Sequence, residues 1–445
     1  MIEALAERGL HCLALDTPGN GLSDPLPGWP STEDYAEALA NTLNSLGVTG
    51  RFGIYGFHTG AGIAVAFAAA NPDRITHVVA DGYAVWTEAE RKDLLSKYLP
   101  ERPIQADGTH MIWAWGRLED QTIFFPWYDQ TPAGRMTYDI PPAAAIHSNL
   151  IDLLENWDAY RPPYAAAFER RGAAALQGWR GDPKVAILAH ARDPLAAHLG
   201  RVPSADGVTV LDAFDDREAM IRTITDLMRS NPGDPIAGLT VSSPTPAAPW
   251  RDVRRGVHRT GFPATSAGRS TLFLHAPGSS LRIFDAERQA LDEDGVGSVA
   301  IDLPGHGDSD ARQTETLDDL IACVVDALGG LGPFDRVVTD GVADVIGAAL
   351  VARGIADRMD AMRTNERGAL PDLTPTWDGA HVQRAWRLAR RQALFQDWWA
   401  PHPVLAADRP DWLEAPALQR RAQDLLKSAA QGRRIADLLR RAPQH

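Results

Sequence analysis

Residues 52–66, F-G-I-Y-G-F-H-T-G-A-G-I-A-V-A, set one ionisable side chain among glycines and small apolar residues. The apolar run Phe52 to Tyr55 ends at Gly56. Gly60 and Gly62 follow, and then a small-residue stretch able to start a helix. This is the pattern of a strand, a sharp turn and a helix, with glycines where the backbone must crowd. The tip of such a turn ordinarily holds Ser, Asp or Cys, and here it holds His58. An imidazole titrates near neutrality, so His58 has two readings. It is a base that takes a proton from water or substrate, or it is a polar residue in a binding cleft. The N–H of Thr59, next to the tip, stands where an oxyanion donor belongs, whereas its hydroxyl points elsewhere.

Other residues that might carry chemistry read as structural. His110 and His381 recur in the motif Asp-Gly-x-His, whose Asp is suited to cap a helix. Asp16 and Asp302 read as turn-capping carboxylates. The glycines of P-G-N-G and P-G-H-G are followed by no Lys-Ser/Thr and form no phosphate loop. Cys12 and Cys323 each lie in an apolar run and show no zinc spacing. No metal and no cofactor is expected.

The elements that position these residues occur twice. Residues 11–24, H-C-L-A-L-D-T-P-G-N-G-L-S-D, match 297–310, G-S-V-A-I-D-L-P-G-H-G-D-S-D, without a gap. Each reads as an apolar strand ending in Asp, followed by a Pro-Gly turn and a helix with an acidic first turn. Residues 107–127 match 378–398 at Asp107, Gly108, His110, Ala114, Trp115, Gln121, Phe124 and Trp127. Three blocks in one order make two copies of one fold. Strands alternating with helices predict an α/β architecture with mostly parallel sheets. The expected domains are 1–230, a Pro- and Ser-rich linker 231–250, and 251–445.

Both copies resemble the α/β-hydrolase fold. L-F-L-H-A-P-G-S-S (272–280) is similar to that family's strand and oxyanion loop, and Y-G-F-H-T-G-A-G sits at its nucleophile elbow. V-A-I-L-A-H-A-R-D-P-L-A (185–196) is similar to the strand that delivers the acid of a catalytic triad. The resemblance therefore assigns Asp193 as the carboxylate that orients His58. It makes residues about 97–170 a helical cap, with His110, Trp113 and Trp115 as candidate cap or pocket residues, and about 370–440 a second cap-like region. The triad imidazole should follow the last strand, V-T-V-L (208–211), but D-A-F-D-D-R-E contains none. In the second copy Ala343 aligns with the tip. Copy one lacks the first strands and copy two the last. The expected units are thus incomplete tandem hydrolase-like folds: either the start of the chain has been lost, or the missing pieces are supplied by the other unit, by a second copy or by a partner chain.

The resemblance implies hydrolysis of a small, apolar ester, lactone or related carbonyl compound by copy one. The alternative is an inactive binding or scaffold protein. A net charge of −14 disfavours nucleic acid and anionic membrane as partners. The start M-I-E-A-L-A-E-R-G-L has no basic region before an apolar stretch, and no long apolar segment exists, so a cytoplasmic location is expected.

Overall fold

Apolar runs in the first half form strands β1 (Phe52–Phe57), β2 (Ile75–Asp81), β3 (Arg180–Leu188) and β4 (Asp206–Val210). They pair in parallel in the order β1-β2-β3-β4. β2 is buried along its whole length, as a parallel strand covered on both faces must be. The helix Thr59–Ala70 packs on β1 and β2, and its small side chains from Ala61 to Ala68 are buried.

The second half forms β5 (Trp250–Arg254), β6 (Val257–Phe262), β7 (Thr271–Leu274), β8 (Ser298–Ile301), β9 (Phe334–Asp340) and β10 (Ala356–Arg363). Their order is β10-β9-β7-β8-β6-β5. β6 pairs antiparallel with β5 and β8, and the other pairs are parallel. The fold class is α/β. The computed structural model describes residues 1–21, 23–137, 139–235, 238, 249–264, 270–363, 369–395, 397–400, 402 and 413–442. Most of the expected linker 231–250 lies outside these residues. The chain divides into two compact units, Met1–Arg102 with Gly116–Val241, and Pro103–Trp115 with Ser242–His445. Among the described residues no helix is long and apolar enough to cross a membrane.

The repeat extends to hydrogen bonds. The helices Thr32–Ser45 and Leu317–Leu328 both start in a capping box, Ser31 with Asp34 and Thr316 with Asp319. Ser23 Oγ donates to the Asp16 carbonyl at 3.0 Å, and Ser309 Oγ to the Asp302 carbonyl at 2.8 Å. Asn20 N–H reaches Thr17 O, and His306 N–H reaches Leu303 O.

Two expectations need correction. Residues 12–15 match β8 but form no strand. β8 is held between β6 and β7, and the first unit has no counterpart of either among its described residues. An extended segment without neighbours has no partners for its N–H and C=O groups and makes no ladder. The second tip is not Ala343. The residue after β9 with a left-handed backbone is Gly341, at φ 55°, while Ala343 is right-handed at φ −67°. The turn closes two residues earlier than the sequence match implied.

Candidate active site

His58 joins β1 to the helix Thr59–Ala70 with φ 49° and ψ −111°. Positive φ is costly for a residue with a Cβ and persists only where its surroundings fix it. Those surroundings are visible. The His58 N–H donates to the Asp81 carbonyl at 2.9 Å, and the His58 carbonyl accepts from Ala61 N–H at 3.0 Å. A Cβ on Gly56 would overlap the Gly60 carbonyl, so the turn can close only over glycine. A Cβ on Gly82, itself at φ 62°, would stand 2.5 Å from His58 Cδ2. Gly82 thus keeps the space that the ring occupies. The other face of the imidazole stacks on Phe57, with centroids 3.8 Å apart.

Asp193 comes from the loop after β3. Its Oδ1 accepts from Leu195 N–H at 2.7 Å and caps the short helix Pro194–Arg201. Its Oδ2 lies 2.7 Å from His58 Nε2. A carboxylate only accepts, so Nε2 carries the hydrogen and Nδ1 keeps its lone pair. Among the described residues no hydrogen bond reaches Nδ1. The His58 side chain is 40% exposed and Asp193 is 8% exposed, so a buried carboxylate aims an accessible imidazole. Thr59 opens the helix, and its N–H is one of the first-turn donors that no helical carbonyl satisfies.

The sequence did not reveal a second pair beneath this one. Tyr55 on β1 donates from its hydroxyl to Asp81 Oδ2 at 2.7 Å. Asp81 ends β2 and is 2% exposed. Burial pushes its carboxyl up to about 6; the Tyr55 hydrogen bond opposes that rise and the neighbouring Asp193 adds to it. Burial and the Asp81 charge push the Tyr55 phenol up as well. The only signal was an Asp ending an apolar strand.

After β4 the chain turns back onto β3, with Leu211 N–H on Ile187 O and Phe214 N–H on Ala189 O, and it offers no imidazole there. The candidate cap residues His110, Trp113 and Trp115 lie in the stretch that belongs to the second unit. His110 is buried, accepts from Gln105 N–H at 3.1 Å on Nδ1, and meets Gln419 Oε1 at 2.9 Å through Nε2. Burial pushes it down to about 4. Trp115 donates to the Trp377 carbonyl at 3.0 Å, and Trp113 is half-buried. The repeat closes on itself here. His110 meets Trp386 edge-on at 5.2 Å, and His381 meets Trp115 edge-on at 4.7 Å. These residues pack a core.

In the second unit the loop at Gly278 is closely packed. Leu370 and Leu425 approach the Gly278 loop, and Ser280 donates to Asp424 Oδ2 at 2.9 Å. Burial pushes the Asp424 carboxyl up to about 7. His258, Asp302 and Asp308 bring ligand-type atoms within 4.8 Å of one another. His258 Nδ1 already bonds Asp302 at 2.8 Å and Lys427 Nζ bonds Asp308 at 2.6 Å, so a lysine supplies the positive charge.

Residues 1–99 match a family model described as the alpha/beta hydrolase fold. The chain is also similar to several solved structures. One is aCif, determined as a variant, at 21% identity over 43% of this chain and 66% of that one, with a TM-score of 0.28. Another is a hydrolase from Pseudomonas aeruginosa PA01, at 18% identity over 48% and 77%, with a TM-score of 0.33. A third is a thermophilic esterase from Thermogutta terrifontis, at 17% identity over 48% and 76%, with a TM-score of 0.30. The chain thus spans just under two thirds of aCif and about three quarters of the other two. Likenesses this distant assign no chemistry.

Proposed function

We propose that the first unit, whose residues 1–99 match the alpha/beta hydrolase fold, hydrolyses a small, apolar ester, lactone or related carbonyl compound. The observation that carries this reading is the 2.7 Å contact from His58 Nε2 to Asp193, which leaves Nδ1 free on an accessible ring. Water on Nδ1 gives up a proton to it as its oxygen bonds to the substrate carbonyl carbon. Asp193 stabilises the imidazolium so formed. The carbonyl oxygen, now an oxyanion, accepts from the Thr59 N–H. Collapse of the adduct expels the alkoxide, which takes back the proton from Nδ1. General-base catalysis of this kind contributes roughly 10²- to 10⁴-fold. The exposed ring of Phe57, stacked on His58, supplies an apolar wall and favours an apolar substrate.

A second reading is a non-catalytic binding or scaffold protein. It is favoured by the histidine in place of a hydroxyl or thiol at the tip, and by the leucines packed against the Gly278 loop of the second unit. Esters and lactones of graded chain length, assayed with the purified full chain, separate the two. Saturable turnover supports the hydrolase reading, and none across the series supports the scaffold.

A further inference from the structure

We infer that Arg117 anchors a binding site for a small monocarboxylate with an apolar body, within the helices of the first unit. The site goes beyond hydrolysis at His58 and does not rest on it. Arg117 lies in the part of the helix Thr109–Ile123 that belongs to the first unit. It is 4% exposed. Its Nε and Nη2 are buried and have no hydrogen-bond partner among the described residues, and no described carboxylate pairs with it. A guanidinium taken out of water is costly unless an anion or a set of acceptors meets it.

What meets it here is aromatic. The central carbon of the guanidinium stands 5.6 Å from the ring centres of Tyr98 and Trp127, and 5.9 Å from that of Tyr160. Ring faces attract a cation, but they do not replace oxygen acceptors along its N–H bonds. The phenols around it are donors too. Burial pushes Tyr98 and Tyr160 up, so both keep their protons, and the Arg117 charge is close enough to oppose that rise in each. Tyr160 donates to the Pro100 carbonyl at 3.5 Å. Among the described residues the Tyr98 hydroxyl, on a side chain 3% exposed, has no acceptor. The cluster is rich in donors and short of an anion.

The free atoms specify the ligand. Nε and Nη2 share one edge of the guanidinium, and their N–H bonds run side by side. That is the fork a carboxylate grips with both oxygens. One guanidinium balances one negative charge, whereas a phosphate dianion would leave a second unbalanced among the rings. The rings set the rest of the molecule. Tyr98 meets Phe168 edge-on at 5.1 Å, Phe168 meets Trp86 at 5.9 Å, and Trp86 meets His198 at 4.6 Å, on the short helix that Asp193 caps. An aliphatic or aromatic body suits such a wall. A Cβ on half-buried Gly116, beside Arg117, would meet nothing within 4 Å, so the packing leaves room on this turn.

The test is thermal unfolding of the full chain, at constant pH and ionic strength, with acetate, butyrate or phenylacetate, and with phenylacetamide as the uncharged control. It reads binding and not turnover, so its outcome is independent of whether His58 is a base. The expected result is a Tm that rises with phenylacetate concentration, rises less with acetate, and does not move with phenylacetamide. Arg117→Met removes an unpaired buried charge; without ligand it should unfold no lower than wild type, and with ligand it should lose the rise. Arg117→Lys keeps a charge without the fork and should bind phenylacetate at least about tenfold more weakly. Equal rises with phenylacetate and phenylacetamide, or an undiminished rise in Arg117→Met, would overturn the proposal. So would no rise with any of the three acids at up to about 10 mM. A ligand-free Arg117→Met protein that unfolds well below wild type would make Arg117 a packing residue and overturn it as well.

Discussion

His58 Nε2 and Asp193 Oδ2 lie 2.7 Å apart, although 135 residues separate them in the chain. His58 follows β1 and the loop after β3 carries Asp193, with β2 between the two strands. The contact fixes which ring nitrogen holds the hydrogen and which is free. A neutral imidazole has two tautomers, and only that with the hydrogen on Nε2 leaves Nδ1 able to take a proton.

Asp193→Asn removes the charge and keeps the shape. The amide can donate as well as accept, so the ring is no longer held in one tautomer. ¹⁵N NMR of His58 should show the Nδ1–H tautomer rising from near absence, and turnover should fall by roughly two to four orders of magnitude, as for other oriented imidazoles. An unchanged tautomer ratio would mean that Asp193 does not set it.

Two neighbouring glycines should respond oppositely. Gly56→Ala drives a methyl group into the Gly60 carbonyl, whereas a Cβ on Gly60 meets nothing within 4 Å. Gly56→Ala should lower stability by about 2 to 4 kcal/mol in urea denaturation. Gly60→Ala, within the helix, should cost nothing or add up to about 1 kcal/mol. Equal losses would contradict the turn geometry.

Asp424 makes stability depend on pH. Burial raises its folded carboxyl to about 7, above the unfolded value. The folded state therefore holds a proton that the unfolded state releases. This contribution is complete below the unfolded value near 4, declines as pH rises, and is gone above about 7. Asp424→Asn should remove that decline, by up to about 1.4 kcal/mol per pH unit, without introducing a charge. Parallel pH profiles for the two proteins between pH 5 and 8 would refute the assignment.

Trp115→Ala should act on stability. The side chain is 3% exposed, donates to Trp377 O and packs on His381. Its loss should cost about 3 to 5 kcal/mol in denaturant unfolding. A cost below about 1 kcal/mol would mean that the paired helices are not packed as described.

The parts of this arrangement legible in the sequence are those that local chemistry dictates. Gly56 announces the turn at His58, and Asp107 and Asp378 announce helix starts, because one residue's close approach or cap is enough to specify each. What depends on strand pairing was hidden. Tyr55 meets Asp81 only because β1 and β2 pair with Phe57 opposite Asp81, and no spacing along the chain encodes that register. Residues 12–15 carry the pattern of a strand, but a strand also needs neighbours. Ala343 was misplaced because a gap-free match to the turn motif does not show which residue takes positive φ; Gly341 can, at no steric cost.

The most direct test of His58 as a base is the hydrolysis rate of one short-chain ester or lactone by the wild-type chain and by His58→Ala, with urea unfolding of both to show equal folding. The account predicts saturable wild-type turnover and a variant slower by at least about 100-fold in kcat. A His58→Ala protein that is equally stable and turns over at the wild-type rate would contradict it.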